Sequence, residues 1–243
     1  MTERIWPLYS EAELANVPQP KWLVDGHLTD GFSVLYGPPK SGKTFLALDW
    51  ALRIATGSQW HGHKVIGGPV LYVSGEGSGG LHSRISAWHT ANATQTSHLY
   101  VIPFAARLIN PDHVEQLKND VMATGARLLV IDTLARSMAG ADENSAQDMG
   151  QAIASLDRIR QEVGCGILVV HHSGIDGTRP RGSTALFGAA DTLARIDGGD
   201  DGVIRLSCEG MKDARPFRTS YWKTVETGTS LTLQKSPQQS VVW

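Results

Sequence analysis

Residues 37–44 read Gly37-Pro38-Pro39-Lys40-Ser41-Gly42-Lys43-Thr44, which satisfies the spacing G-x-x-x-x-G-K-[ST]. Each fixed position has a physical reason. Glycines let successive backbone N–H groups curl around an anion, and the N-terminus of a following helix adds positive potential. A lysine at the seventh position reaches terminal phosphates, and the hydroxyl at the eighth ligates magnesium. The flanks agree with this reading. Ser33 to Tyr36 is a short apolar run, and Thr44 to Thr56 carries Phe45, Leu48, Leu52 and Ala55 at helical spacing before Gly57. The order strand, loop, helix makes Gly37, Pro38, Pro39, Lys40, Ser41, Gly42, Lys43, Thr44 and Phe45 the predicted contacts of a nucleoside triphosphate.

Working outward, the same alternation repeats. Pro69 to Ser74 reads as a buried strand, followed by Gly75-Glu76-Gly77 and a helix through Leu81, Ile85 and Trp88. Leu99 to Pro103 is a third strand, and Val114 to Ala123 a helix leading to the apolar run Leu128 to Ile131, which Asp132 closes. Ala146 to Val163 presents Met149, Ile153, Leu156 and Ile159 on one face, and leads to the strand Gly166 to Val170, closed by His171 and His172. Alternation of this kind predicts a parallel sheet covered on both faces, with ligands at the carboxyl ends of the strands. Beyond Thr192 the pattern shifts to shorter strands, at Val203 to Ser207, Phe217 to Thr224 and Ser230 to Gln234, separated by turns such as Asp197-Gly198-Gly199. These read as antiparallel additions. Met1 to Asp30, with Pro7, Pro18 and Pro20, reads as an extended N-terminal arm with one short helix near Ser10 to Ala15. The predicted layout is an arm over 1–30, one ATPase-sized domain over 31–234 and a tail from Lys235 to Trp243.

Polar residues at strand ends supply the remaining chemistry. Asp132 is placed to hold magnesium with Thr44, as the carboxylate partner of a phosphate loop does; a strand-end Asp otherwise caps a turn. Glu76, between glycines, is the candidate general base for an attacking water, against the plainer role of a solvated turn residue. His172 is the candidate sensor of the terminal phosphate, with capping or metal binding as the alternatives. The Gly-rich, basic segment Ser173 to Thr184 offers Arg179 and Arg181 for nucleic-acid phosphates. Lys212 and Arg215 are candidates for a cation acting across a subunit interface, against the plainer role of solvated surface cations.

Bulk properties narrow the classes. The 243 residues include 22 Lys and Arg against 24 Asp and Glu, so the formal charge of -2 gives no overall pull toward nucleic acid or anionic membrane. Hydrophobic residues make up 41% and charged residues 19%, the balance of a folded globular domain. No run approaches the ~20 apolar residues of a membrane span, the N-terminus has no secretory pattern, and Cys165 and Cys208 lack metal-ligand spacing. A cytoplasmic location with no membrane partner is the expectation.

Taken together, GPPKSGKT, YVSGEG with LHSRISAW, LLVIDTLARS, GILVVHHS, RGSTALFGAADT and MKDARPF resemble the RecA-like ATPases over Gly31 to about Phe217. The resemblance is greatest to the hexameric replicative helicase group typified by plasmid-encoded RepA helicases. It implies an α/β fold of the RecA-like P-loop NTPase kind, with a mainly parallel central sheet flanked by helices and antiparallel C-terminal strands. It implies ATP and Mg2+ as cofactors, with Lys43 and Thr44 on the triphosphate and metal, Glu76 as catalytic carboxylate, Asp132 at magnesium, His172 as phosphate sensor, and one of Arg181, Lys212 and Arg215 as a cation acting in trans. The implied assembly is a homo-oligomer, a hexameric ring, acting on single-stranded DNA, in replication of a plasmid, phage or mobile element. A RecA or RadA-like recombination ATPase and a nucleotide-dependent regulator are the competing readings.

Overall fold

The computed structural model describes residues 7–17, 19–96, 98–174, 179–198 and 202–236. In chain order the elements are α1 (Glu11–Leu14), β1 (Trp22–Val24), β2 (Leu28–Thr29), β3 (Phe32–Gly37), α2 (Lys43–Thr56), β4 (Val70–Ser74), α3 (Leu81–Asn92), β5 (Leu99–Ile102) and α4 (Pro111–Thr124). There follow β6 (Leu128–Asp132), α5 (Leu134–Ser137), α6 (Ala146–Val163), β7 (Gly166–His172), α7 (Ala185–Ala189), β8 (Thr192–Gly198), β9 (Val203–Met211), β10 (Ser220–Thr227) and β11 (Ser230–Lys235).

Among the described residues the main sheet has nine strands in the order β11-β10-β9-β8-β3-β7-β6-β4-β5. From β8 to β5 all neighbours are parallel, and from β8 outward through β9, β10 and β11 they are antiparallel. The expected α/β architecture is therefore present, antiparallel extension included. Side chains alternate between two cores, as a strand period of two requires. In β6, Leu128 and Val130 face the core built with α2 and α3, whereas Leu129 and Ile131 face the core built with α4 and α6. Because both faces are covered, the strand reads as a continuous apolar run.

The helices start and stop where local chemistry dictates. Asn110 Oδ1 accepts from the backbone N–H groups of Asp112 and His113, Pro111 opens α4, and Gly125 ends it in the left-handed region. Ser145 caps α6 through the Asp148 N–H, and Gly164 closes it. On the α2 side, the buried Asp49 carboxylate accepts from Trp60 Nε1 at 2.8 Å and from Trp88 Nε1 at 2.6 Å, with Arg53 Nε at 3.4 Å. A buried charge is tolerated there because it is paired and hydrogen-bonded.

Three expectations need correction. No strand is expected before Val203, and Asp197-Gly198-Gly199 reads as a turn, yet Thr192–Gly198 is β8, which pairs in parallel with β3 and antiparallel with β9. Its Asp197 looked like a turn residue but sits on the strand because Arg195 and Arg205 neutralise it, at 2.9 and 3.1 Å. The strand expected from Phe217 begins instead at Ser220, and Phe217 packs against the core ahead of it. The stretch read as an arm also contributes to the core: β1 and β2 form a small hairpin in which Leu23, Val24 and Leu28 are fully buried. Before it, α1 carries the complete Ser10–Glu13 capping box and buries no residue. Of the tail, 237–243 lie outside the described residues.

Candidate active site

The phosphate loop joins β3 to α2 at the carboxyl edge of the parallel sheet. Its shape depends on missing side chains. A Cβ on Gly37 would collide with the Ile196 carbonyl oxygen, and one on Gly42, where φ is +95°, would lie 2.6 Å from Ile204 Cδ1. Lys40 also adopts a left-handed φ of 64°. Pro39 and Lys40 are exposed, Pro38, Gly42, Thr44 and Phe45 are half-buried, and Gly37, Ser41 and Lys43 are buried. Lys43 Nζ donates to the carbonyls of Gly37 at 3.0 Å and Pro38 at 2.6 Å. Ser41 Oγ, within the loop, is buried with no hydrogen-bond partner.

Strand register brings the acidic residues beside this loop. Ser74 of β4 is level with Asp132 of β6, Asp132 with Val170 of β7, and His172 with Gly37. Asp132 is buried; its Oδ2 accepts from Tyr72 Oη at 2.6 Å. Oδ1 makes no hydrogen bond of good geometry, although the Thr44 hydroxyl is near enough to stabilise the anion. Burial raises the Asp132 pKa, opposed by the Tyr72 and Thr44 hydroxyls. A hard cation in contact with Thr44 and Asp132 would satisfy that oxygen and favour the ionised form, so the donor set fits magnesium.

Glu76 Oε1 accepts from Thr133 Oγ1 at 3.0 Å and lies 3.4 Å from Arg136 Nε. His172 Nε2 is 3.8 Å from the same oxygen, too far for a hydrogen bond. Burial lowers the His172 pKa and the Lys43 charge lowers it further, so the ring is mainly neutral near pH 7. Neighbouring His171 is fully buried, its Nε2 set 3.0 Å from the Arg181 carbonyl oxygen. Structure thus assembles Lys43, Thr44, Glu76, Asp132 and His172 around one cradle.

The proposed cations are placed unequally. Arg181 sits by the phosphate loop of its own chain: it lines a cavity with Pro38 and Pro39, its Nη1 is 3.4 Å from Glu143 Oε1, and its charge helps lower the Lys43 pKa. Lys212 lies where β9 ends beside the start of β8, which is the amino edge of the parallel strands. Its Nζ donates to the Ala189 carbonyl and pairs with Asp191 at 3.0 Å. Arg215 and Arg179 are exposed and have no ion pair among the described residues. In the loop that begins at Ser173, residues 175–178 lie outside the described residues, while Ser173 and Pro180 form a bridge at its stem.

Sequence reading missed Tyr72, Thr133, Arg136 and Glu143, which hold the predicted groups in place. Thr133 and Arg136 lie within the same LLVIDTLARS stretch as Asp132, and Tyr72 is the one polar-tipped ring in PVLYVS. It also missed Arg84, whose guanidinium lies 5.2 Å over the Phe45 ring at the helix following Glu76.

Burial lowers the Lys43 pKa to about 8; Asp132 and Glu76 oppose the shift, and Arg181 adds to it. A polyphosphate beside the ammonium restores its charged form. Nucleotide affinity is therefore expected to fall as pH rises through about 8, with binding above that point taking up a proton. Calorimetry at about pH 9 in two buffers of different ionisation enthalpy measures the uptake, and proton release would contradict it.

A glycine-lined loop between a central parallel strand and its helix, with carboxylates at neighbouring strand tips, defines a P-loop ATPase of the RecA-like class. Family comparison agrees. The model described as an AAA domain matches residues 4–178, and the chain belongs to that family. Among solved structures, the crystal structure of the RadB recombinase matches with a TM-score of 0.58 at 18% identity, over 82% of this chain and 89% of that one. A KaiC-like protein, PH0186 from Pyrococcus horikoshii OT3, matches with a TM-score of 0.61 at 15% identity, over 87% of this chain and 93% of that one. At such identities the likeness is one of fold. Among the described residues no helix is long and apolar enough to cross a membrane.

Proposed function

We propose that this chain is a magnesium-dependent, ATP-driven motor on single-stranded DNA, a cytoplasmic hexameric translocase or helicase of the RepA type. Lys43 and the loop amides hold the triphosphate, and Thr44 and Asp132 would hold magnesium, which when bound would supply positive charge beside the phosphate oxygens. Glu76 orients and deprotonates the attacking water, and His172 reports loss of the terminal phosphate. One observation carries the reading: the Glu76 carboxylate at the tip of β4 lies 3.8 Å from His172, and β7 runs from that histidine straight into the loop bearing Arg179 and Arg181. The sensor His172 is thus followed directly by the loop, with Arg179 and Arg181 seven and nine residues further on.

ATPase turnover with and without single-stranded DNA, beside a measurement of mass in solution, tests the proposal. Turnover should rise with DNA and the mass should be that of a ring. If DNA leaves turnover unchanged and no complex forms at low salt, the motor reading fails. Electron microscopy with DNA and an ATP analogue separates a closed ring from a recombinase-like filament.

One of Arg181, Lys212 and Arg215 is proposed to act on a neighbouring protomer's nucleotide. Mixing wild type with Arg181→Ala, Lys212→Ala or Arg215→Ala protein should depress hydrolysis more steeply than dilution for the residue that acts in trans. Strictly proportional activity in all three mixtures would exclude the shared site. A second reading, a nucleotide-dependent regulator, is favoured by the Glu143 pair that occupies Arg181; slow turnover indifferent to nucleic acid would select it.

A further inference from the structure

Away from the phosphate loop, a cavity of about 490 Å³ opens between the β1–β2 hairpin tip, the 63 region and the approach to β10. It shares no lining residue with the nucleotide cradle. Arg215, Arg218 and Lys235 line it, all exposed and with no ion pair among the described residues, and no carboxylate lines it at all. Thr219, Ser220 and Ser236 add hydroxyl donors. The inner wall is a rigid aromatic block: His27 stacks on Phe217 with centroids 4.6 Å apart and meets Trp60 edge-on at 4.7 Å, while His63 sits 4.4 Å from His27. In a chain whose formal charge is -2, three uncompensated cations around one concavity are a local excess. Burial is the main reason that protonation of His27 is disfavoured; the neighbouring His63 and Lys235 add to it, and the Asp25 carbonyl and carboxylate oppose it.

We propose that this cavity is a second anion site that takes phosphoryl groups, supplied either by a single-stranded nucleic acid backbone or by a small polyphosphate. Two arginine forks match tetrahedral oxyanions in bidentate fashion, and the lysine and hydroxyls supply point donors. Of the lining rings, the half-buried His63, Phe217 and Tyr221 would offer flanking bases or riboses a surface to stack on. The site does not depend on what the ATPase centre does.

The test uses the full chain with the loop disabled by Lys43→Ala, compared with the same protein also carrying Arg218→Ala and Lys235→Ala. Arg215, a proposed trans-acting cation, is left intact. Probes are a fluorescently labelled oligothymidylate, followed by anisotropy, and inorganic tripolyphosphate, followed by calorimetry. Removing the two cations should weaken binding of at least one probe by about tenfold, or about 1.4 kcal/mol. Loss with the oligonucleotide alone assigns a nucleic acid, loss with tripolyphosphate alone a small anion, and loss with both the shared chemistry. A control pair of exposed cations elsewhere, Arg107→Ala with Lys223→Ala, should change affinity by less than about threefold. With Lys43 present, Arg218→Ala/Lys235→Ala protein should keep its thermal midpoint and its nucleic-acid-free ATPase rate. The proposal is overturned if neither probe binds the Lys43→Ala protein, if the cavity variant binds as tightly as its parent, or if the control pair weakens binding equally.

Discussion

Lys43→Ala protein is expected to lose ATP binding, with affinity falling by about two to three orders of magnitude. The ammonium is the only buried cation in the loop, already directed by the Gly37 and Pro38 carbonyls to the position a terminal phosphate must approach. Alanine removes the charge and leaves those two carbonyls facing the anion, so repulsion adds to the lost attraction. The fold should survive, because burial already disfavours the charged lysine and its removal relieves that penalty. Fluorescent-nucleotide titration beside a thermal melt checks both halves, and unchanged affinity would refute the assignment of the loop.

Glu76→Gln protein should bind ATP nearly as tightly as wild type and hydrolyse it about 10²–10⁴-fold more slowly. An amide keeps the shape of the carboxylate, and its oxygen still accepts from Thr133 Oγ1. What it loses is the basic oxygen that takes a proton, together with the pairing to Arg136. Single-turnover hydrolysis measured with equilibrium binding separates the two effects. Parallel loss of affinity and rate would reduce Glu76 to a structural residue, and full activity would exclude it as the base.

Much of this was legible in the sequence because strand ends and chemistry coincide there. A GKT turn between an apolar run and a helical period fixes its own environment, and LLVID places its acid at the strand tip by counting alone. Residues such as Tyr72 and Glu143 were not legible. Their roles depend on register between strands or on loops far apart in the chain: Tyr72 meets Asp132 across 60 residues, and Arg181 meets Glu143 across 38. Likewise β8 was hidden because its outward polar positions carry Arg195 and Asp197, and Asp197 next to Gly198 mimics a turn unless the partner Arg205 is known. Leu23, Val24 and Leu28 escaped notice because a three-residue strand paired with a two-residue strand is too short for periodicity to register.

The backing of the phosphate loop comes from a part of the chain that looks dispensable. Gly37 abuts the Ile196 carbonyl, Gly42 the Ile204 side chain, and Gly198 approaches Ser41 with a would-be Cβ only 3.3 Å from its Cα. All three partners of the loop belong to β8 and β9, beyond the 4–178 span that the AAA domain model matches. A fragment trimmed to that span would keep every signature residue of the loop and lose the surface it leans on. The practical boundary of a minimal nucleotide-binding unit therefore runs past Ile204, and the antiparallel extension is no detachable ornament.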